Sequence, residues 1–229
     1  MLSRPNLRRI AFLRRNRCSV LVAALCLFIL LNPLIADSLV GVTILASCLM
    51  AILLVAMWAI RAHTLMLWVL GLGIATALVV LVAGSGSSLV RVALHGNAAL
   101  FIALVTIALL RYVLDWHSIT IDKVFGAVAA YILIAFSFAS LFGLLQIWQP
   151  NAFHVAHAND IDGHLGWYDM IYFSFTVLTS TGFGEITPVT NQARSLIVVE
   201  QVLGVMYVAF LVARLANLYG NRRAGTTLL

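Results

Sequence analysis

Runs of about 20 consecutive apolar residues restrict this chain more than any other feature of its sequence. A helix needs roughly 20 such residues to cross the hydrocarbon core of a membrane, and a spanning segment must be helical so that its backbone groups bond internally. Five runs reach this length or come close to it, and Arg91, His95 and Asn97 interrupt the beginning of a sixth. We therefore predict six membrane spans, at about 18–36, 39–60, 64–83, 90–111, 124–147 and 195–218.

The charged residues support a membrane location and give the chain an orientation. They make up 10% of the chain, whereas a soluble domain carries about 25%. Six of the 14 Lys and Arg residues lie within the first 17 residues. With the N-terminus inside the cell, only Arg91 and Arg194 fall on the outer side, which is the distribution of cations that membrane proteins show. We predict a multi-pass protein of the cell membrane with both termini in the cytoplasm, and the placement of the +6 net charge argues against a nucleic-acid partner.

The N-terminus also has features of a cleavable secretory signal, because a basic segment precedes an apolar run that ends near Ala36. The next apolar run begins only two residues after Asp37. Removing the first run would spoil the distribution of cations, so a retained first span is the simpler interpretation.

The segment between the fifth and sixth runs combines a short apolar stretch with a pair of glycines. Residues 167–179 are apolar, but these 13 residues are too few to cross a membrane, and they predict a re-entrant helix. Gly182 and Gly184 flank one residue and permit backbone conformations that are closed to most side chains. Non-helical backbone at this depth is tolerated where it lines a water-filled path, and carbonyl groups there can replace the hydration shell of an ion.

The stretch from Leu178 to Pro188 reads LTSTGFGEITP. Together with the short helix before it and the span after it, this motif resembles the pore module of tetrameric potassium channels, in the two-span form known from bacteria. The resemblance implies an all-α integral membrane fold of six transmembrane helices, with a re-entrant pore helix and a selectivity filter between the fifth and sixth. The first four spans are similar to those of six-span channels only in number.

The resemblance also implies a role for each residue of the motif. The carbonyls of Thr181, Gly182 and Phe183, together with Ser180, would form stacked potassium sites, each repeated by four copies of the chain. The C-terminal end of the pore helix would direct negative potential toward a central cavity. The filter is therefore predicted at Ser180, Thr181, Gly182, Phe183 and Gly184, its support at Thr179, Glu185 and Glu200, and a gating hinge at Gly204.

The motif departs from the TVGYG pattern of that family at three positions. Ser180 replaces threonine and loses a methyl group that limits side-chain rotation. Thr181 replaces valine and adds a hydroxyl group behind the filter, and Phe183 replaces tyrosine and lacks one hydrogen bond. Glu185 also stands where aspartate is usual. A weakly selective monovalent cation channel is therefore the alternative to a potassium-selective one.

Glu200 is the one carboxylate predicted well inside a span, where an unpaired charge is expensive. It should face protein, with a partner or in the protonated form. We expect it to lie behind the pore helix and to support the filter from outside, and a pore-lining position is the alternative.

Histidines and carboxylates in the outer segment have two interpretations. Close side chains of this kind can bind zinc or sense pH. The more economical interpretation is a solvated, somewhat acidic turret above a cation entrance. The residues concerned are His154, His157, Asp160, Asp162 and His164.

The fourth predicted span does not have the pattern of a voltage sensor. Such a sensor needs several arginines at three-residue spacing. This span has Arg91 and Arg111, which lie near opposite ends. Both are interpreted as interfacial anchors.

The resemblance, taken with these patterns, implies a homotetramer that conducts potassium passively, without enzymatic activity. Its partners are three further copies of the chain and the lipid bilayer; no cofactor is expected, and K⁺ as the permeant ion is the only metal. No soluble regulatory domain is expected. Residues 115–123 form a linker before the fifth predicted span. This linker is either the start of an interfacial helix or an element that transmits motion from the first four helices to the pore. The predicted segments are a basic cytoplasmic N-terminus (1–17), a four-span peripheral domain (18–114), the linker (115–123), a pore domain (124–218) and a short cytoplasmic tail (219–229).

Overall fold

The fold is almost entirely helical. The computed structural model describes residues 17–35, 39–59, 71, 73–74, 88–114, 120–156 and 165–226. Within these ranges the elements, in chain order, are α1 (Arg17–Ile35), α2 (Leu39–Ala59), α3 (Ser88–Leu114), α4 (Ile121–Trp148), β1 (Phe153–Val155), α5 (Trp167–Leu178), β2 (Ile186–Pro188) and α6 (Asn191–Thr226).

Four of the described helices are long and apolar enough to cross a membrane. A further stretch of α2, Ser47–Met57, is apolar but shorter. The predicted third span at 64–83 lies outside the described residues apart from 71 and 73–74, so the count of six spans stays a prediction. The span-capable segments are Arg17–Leu34, Val90–Leu114, Ile121–Trp148 and Asn191–Arg214.

Among the described helices, α4 makes the most extensive contacts with its neighbours. Small side chains let neighbouring helices approach it closely, as is usual between membrane helices, and large aromatic side chains fill the space between them. Its contacts are most extensive with α3, followed by α1 and α5. The fully buried residues of α4 include Ala127, Ala130, Leu133, Phe136, Ala139 and Phe142.

A carboxylate joins three helices at the end of the bundle that is predicted to be cytoplasmic. Asp122, in the first turn of α4, accepts a hydrogen bond of 2.8 Å from the backbone amide of Cys18 at the start of α1. Its other oxygen accepts one of 3.2 Å from the hydroxyl of Tyr112 on α3. The amide of Cys18 has no partner within its own helix, because the first four N–H groups of any helix lack one. The start of α4 is thereby fixed to two peripheral helices, whereas residues 115–119 of the predicted linker lie outside the described part of the chain.

A histidine joins α3, α4 and the short helix α5 near the opposite end of the bundle. His95 of α3 lies against Gly143 of α4, and its ring makes an edge contact with the ring of Trp167, 6.0 Å between centroids, at the start of α5. Nδ1 of His95 lies 3.0 Å from the carbonyl oxygen of Arg91, which can only accept, so Nδ1 carries the proton. The peripheral helix α3 therefore touches the short helix α5 directly.

Replacing Gly143 by alanine should destabilise the protein, because the new Cβ atom would overlap the His95 ring. Overpacking of this kind costs about 1–3 kcal/mol, which exceeds the gain of roughly 1 kcal/mol in helix propensity. We expect Gly143→Ala to lower the Tm of the detergent-solubilised protein. The matched control is Gly96→Ala, whose Cβ would meet Leu144 at an ordinary 3.9 Å and should leave the Tm unchanged or raise it. Equal effects of the two substitutions would contradict this account of the contact.

Candidate functional site

The short helix α5 lies between the two long helices α4 and α6. Its 12 residues extend for about 18 Å, well short of the roughly 30 Å of a hydrocarbon core. Asp169 caps its beginning by accepting a hydrogen bond of 2.8 Å from the backbone amide of Gly166. Phe173 of α5 packs against Phe142 of α4 and Phe153 of β1, with ring centroids 5.2 and 5.4 Å away. One face of α5 is therefore held by an aromatic cluster.

The backbone after α5 turns back on the end of that helix. The carbonyl oxygen of Thr176 accepts hydrogen bonds from the amides of Thr181 (2.9 Å) and Gly182 (3.2 Å), and that of Val177 accepts one from Ser180 (2.9 Å). A trans peptide holds its carbonyl opposite to its N–H. The carbonyls of Thr179, Ser180 and Thr181 consequently all point away from α5.

The backbone dihedral angles continue this arrangement. φ is positive at Ser180 (56°), Gly182 (52°) and Gly184 (94°), whereas Thr181 and Phe183 between them have ordinary values. Alternation of this kind turns successive peptide groups so that their carbonyls face one side of the chain. Ser180 carries a side chain in the left-handed region, which costs about 1–2 kcal/mol. All five residues of 180–184 are exposed on the single protomer.

Two threonine side chains of the motif are bound within the protomer. Thr179 donates a hydrogen bond of 2.7 Å to the carbonyl oxygen of Phe175. Its Oγ1 lies 2.8 Å from Oγ1 of Thr181. Because the Thr179 proton is already used, Thr181 is the donor of that bond. The additional hydroxyl at position 181 is thus bound within the protomer.

An aromatic pair and a carboxylate follow. The ring of Phe183 stacks on that of Tyr172 with a centroid distance of 6.5 Å and an interplanar angle of 5°. The hydroxyl of Tyr172 lies 3.1 and 3.2 Å from the two carboxylate oxygens of Glu185 and donates to them. A single side chain of α5 thus contacts the motif on both sides of Gly184.

A two-stranded ribbon holds the chain beyond the motif. β2 pairs antiparallel with β1, in the register Phe153 with Pro188 and Val155 with Ile186. The amide of Ala156 also donates a hydrogen bond of 2.8 Å to the carbonyl oxygen of Glu185. Sequence reasoning missed both strands, because each has only three residues and β2 contains a proline, which is usual only at a sheet edge.

The predicted histidine cluster is only partly described. His154 lies on β1 and is exposed, whereas His157 and His164 lie outside the described residues together with Asp160 and Asp162. Among the residues that the structure does describe, no group of three His, Cys, Asp or Glu side chains could hold a metal ion. The proton- or zinc-binding role stays a hypothesis.

Two residues of α6 contact α5 from behind the motif. Glu200 is fully buried, and its Oε1 lies 2.5 Å from Oγ of Ser174. Gly204, one turn further along α6, lies so close to the carbonyl of Leu178 that a Cβ atom would overlap it. Tyr131 of α4 donates a hydrogen bond of 3.2 Å to the same carbonyl. The close contact with Leu178 thus explains why residue 204 is a glycine, which sequence reasoning missed. The role of Gly204 as a hinge stays a prediction.

Comparison with known proteins identifies the segment that contains this site. Residues 127–221 match the model of a family described as ion channel. The match covers less than half of the chain; it includes most of α4, all of α5 and the motif, and most of α6. The resemblance of this segment to a channel pore module is thereby confirmed. Neither the curated proteins nor the solved structures gave a match.

Replacing Tyr172 by phenylalanine should loosen the chain after the motif, because it removes the hydrogen bond to Glu185 and keeps the ring that stacks on Phe183. Such a bond contributes about 1 kcal/mol, so we expect backbone amides at 183–186 to exchange with deuterium several-fold faster. The matched control is Tyr168→Phe on the same helix, where the tyrosine is equally exposed and no such bond is broken. Unchanged exchange in Tyr172→Phe would show that the bond does not hold this segment.

Proposed function

We propose that the chain is one subunit of a homotetrameric potassium channel, and the match of residues 127–221 to an ion-channel family supports this proposal. The observation that carries this proposal is the set of carbonyls at 179–181 that point away from α5 on an exposed stretch of backbone. Carbonyls arranged in rings can replace the hydration shell of K⁺. Passive conduction down an electrochemical gradient then needs no chemical step.

The exposure of these carbonyl groups on the single protomer is also the reason for proposing that several copies assemble. One protomer presents a single row of carbonyls, so a ring requires further copies, and four is the number in the family that the motif resembles. Helix α6 offers an extensive apolar surface to neighbouring copies and to lipid. Its exposed apolar side chains include Val198, Val199, Val202, Leu203, Val205 and Met206.

In this arrangement α5 is a re-entrant pore helix and residues 180–184 are the selectivity filter. Thr179, Glu185 and Glu200 support the filter from the protomer side, and Gly204 permits the close approach of α6. The protein lies in the cell membrane with both termini in the cytoplasm, as the distribution of cations indicates.

Selectivity for potassium is supported by the local contacts at two of the three departures from the usual motif. The hydroxyl of Thr181 donates to Thr179, so its proton is already used within the protomer. Phe183 lacks the phenolic hydroxyl of tyrosine, and its ring is held by stacking on Tyr172. These contacts keep the backbone in place by other means than the tyrosine and valine of the usual motif.

The alternative function is a weakly selective monovalent cation channel, and Ser180 favours it. Within the described part of the protomer the Ser180 side chain makes no hydrogen bond, and it lacks the methyl group that would limit its rotation. A hydroxyl at Ser180 that rotates more freely than that of threonine would coordinate Na⁺ and K⁺ with less discrimination.

The channel proposal is tested by the variant Gly182→Ala in proteoliposomes. Within the protomer nothing lies within 4 Å of the Cβ that alanine would add, so the strain there comes from the positive φ of 52°. Alanine there costs about 1–2 kcal/mol in each subunit. We expect the variant to form tetramers by native mass spectrometry but to lose most of the K⁺ flux of the wild-type protein.

The matched control is Gly166→Ala, because Gly166 has a φ of −79° that alanine adopts without strain. It should keep both the tetramer and the flux. A wild-type protein that is not tetrameric, or a Gly182→Ala variant with undiminished flux, would contradict the proposal.

A further inference from the structure

We propose that Glu200 is a neutral carboxylic acid and that its proton positions the pore helix. Its O–H donates to Oγ of Ser174, whose own O–H donates to the carbonyl oxygen of Ala135. These two consecutive hydrogen bonds link α6, α5 and α4. The protonation of Glu200 does not depend on the proposed function. Its effect on ion conduction does rest on that function and deepens it.

Ser174 has too few protons for the two short contacts that its hydroxyl makes. Its Oγ lies 2.7 Å from the carbonyl oxygen of Ala135 and 2.5 Å from Oε1 of Glu200. A serine hydroxyl has a single proton to donate, and a backbone carbonyl has none. If Glu200 were ionised, one of these two short contacts would have no proton between its oxygens. A proton on Oε1 supplies both bonds.

The surroundings of Glu200 also favour the neutral form. The residue has no exposed surface in the single protomer, so neither lipid nor a neighbouring copy can reach it. Its second oxygen, Oε2, is buried without a hydrogen-bond partner among the described residues. No cation within that part of the chain pairs with it. An ionised carboxylate in such a place would carry a large desolvation cost with little compensation.

The titratable groups near Glu200 do not supply a proton in its place. Tyr131 faces it from α4 and donates its hydroxyl proton to the carbonyl of Leu178. Tyr207, further along α6, donates to the carbonyl of Ala127, and its ring packs at a tilt against that of Tyr131 with 5.6 Å between ring centroids. Both phenolic protons are thus used elsewhere.

The position of this bond explains how it acts on the filter. Glu200 and Gly204 lie four residues apart on α6 and contact Ser174 and Leu178, which lie four residues apart on α5. Two contacts, one helical turn apart on each helix, fix the sliding register between the helices. The carbonyl of Thr176, which holds two amides of the filter, lies between these contacts. Glu200 is therefore a positioning residue, which acts on the ion path through α5.

The test uses the infrared absorption of protonated carboxyl groups, recorded on the full chain in bilayers at pH 7. The sequence contains two glutamates, Glu185 and Glu200. We expect a protonated-carboxyl band in the wild-type protein that is absent in Glu200→Gln and unchanged in the control Glu185→Gln. The amide group of glutamine can still donate to Ser174, so Glu200→Gln should retain several-fold more K⁺ flux than Glu200→Val.

Two results would overturn the inference. One is a wild-type spectrum without the band, and the other is a band that persists in Glu200→Gln. Failure of the proposed function is distinguishable, because a protein that shows the expected band but carries no K⁺ flux would contradict the channel proposal and leave the protonation of Glu200 intact.

Discussion

The hydrogen bonds between the last turn of α5 and the backbone that follows it are the interaction on which the site depends. The carbonyl of Thr176 accepts hydrogen bonds from the amides of Thr181 and Gly182, and that of Val177 accepts one from the amide of Ser180. These bonds use the N–H groups on the protomer side and leave the carbonyls on the other. The proposed ion path is thus a consequence of peptide geometry, and the side chains serve to keep that geometry in place.

Contacts from the other described elements hold α5 and the chain that follows it in position. The aromatic cluster around Phe173 holds one face, Glu200 and Gly204 hold the face toward α6, and the Tyr172–Glu185 bond holds the chain beyond the filter. His95 adds a direct contact from a peripheral helix. The peripheral helices and the proposed pore are therefore physically connected near both ends of the bundle, at Asp122 and at His95.

The sequence predicted those features that depend on local pattern. Apolar runs marked the long helices, the pair Gly182 and Gly184 marked an unusual backbone, and the cost of a charge in a span singled out Glu200. Features that depend on packing between distant residues were not predicted from the sequence. The positive φ of Ser180 follows from its bond to Val177, and the need for a glycine at 204 follows from the carbonyl of Leu178. The ribbon of β1 and β2 joins segments about 30 residues apart with strands too short to leave a periodic signal.

Residues 180–184 of four copies are proposed to form a filter that distinguishes potassium from sodium. The most direct measurement is the reversal potential of the purified protein in a planar bilayer with K⁺ on one side and Na⁺ on the other. We predict a value near the potassium equilibrium potential. A robust current that reverses near zero would contradict potassium selectivity, and it would direct attention to Ser180 and Thr181, where threonine and valine could be restored.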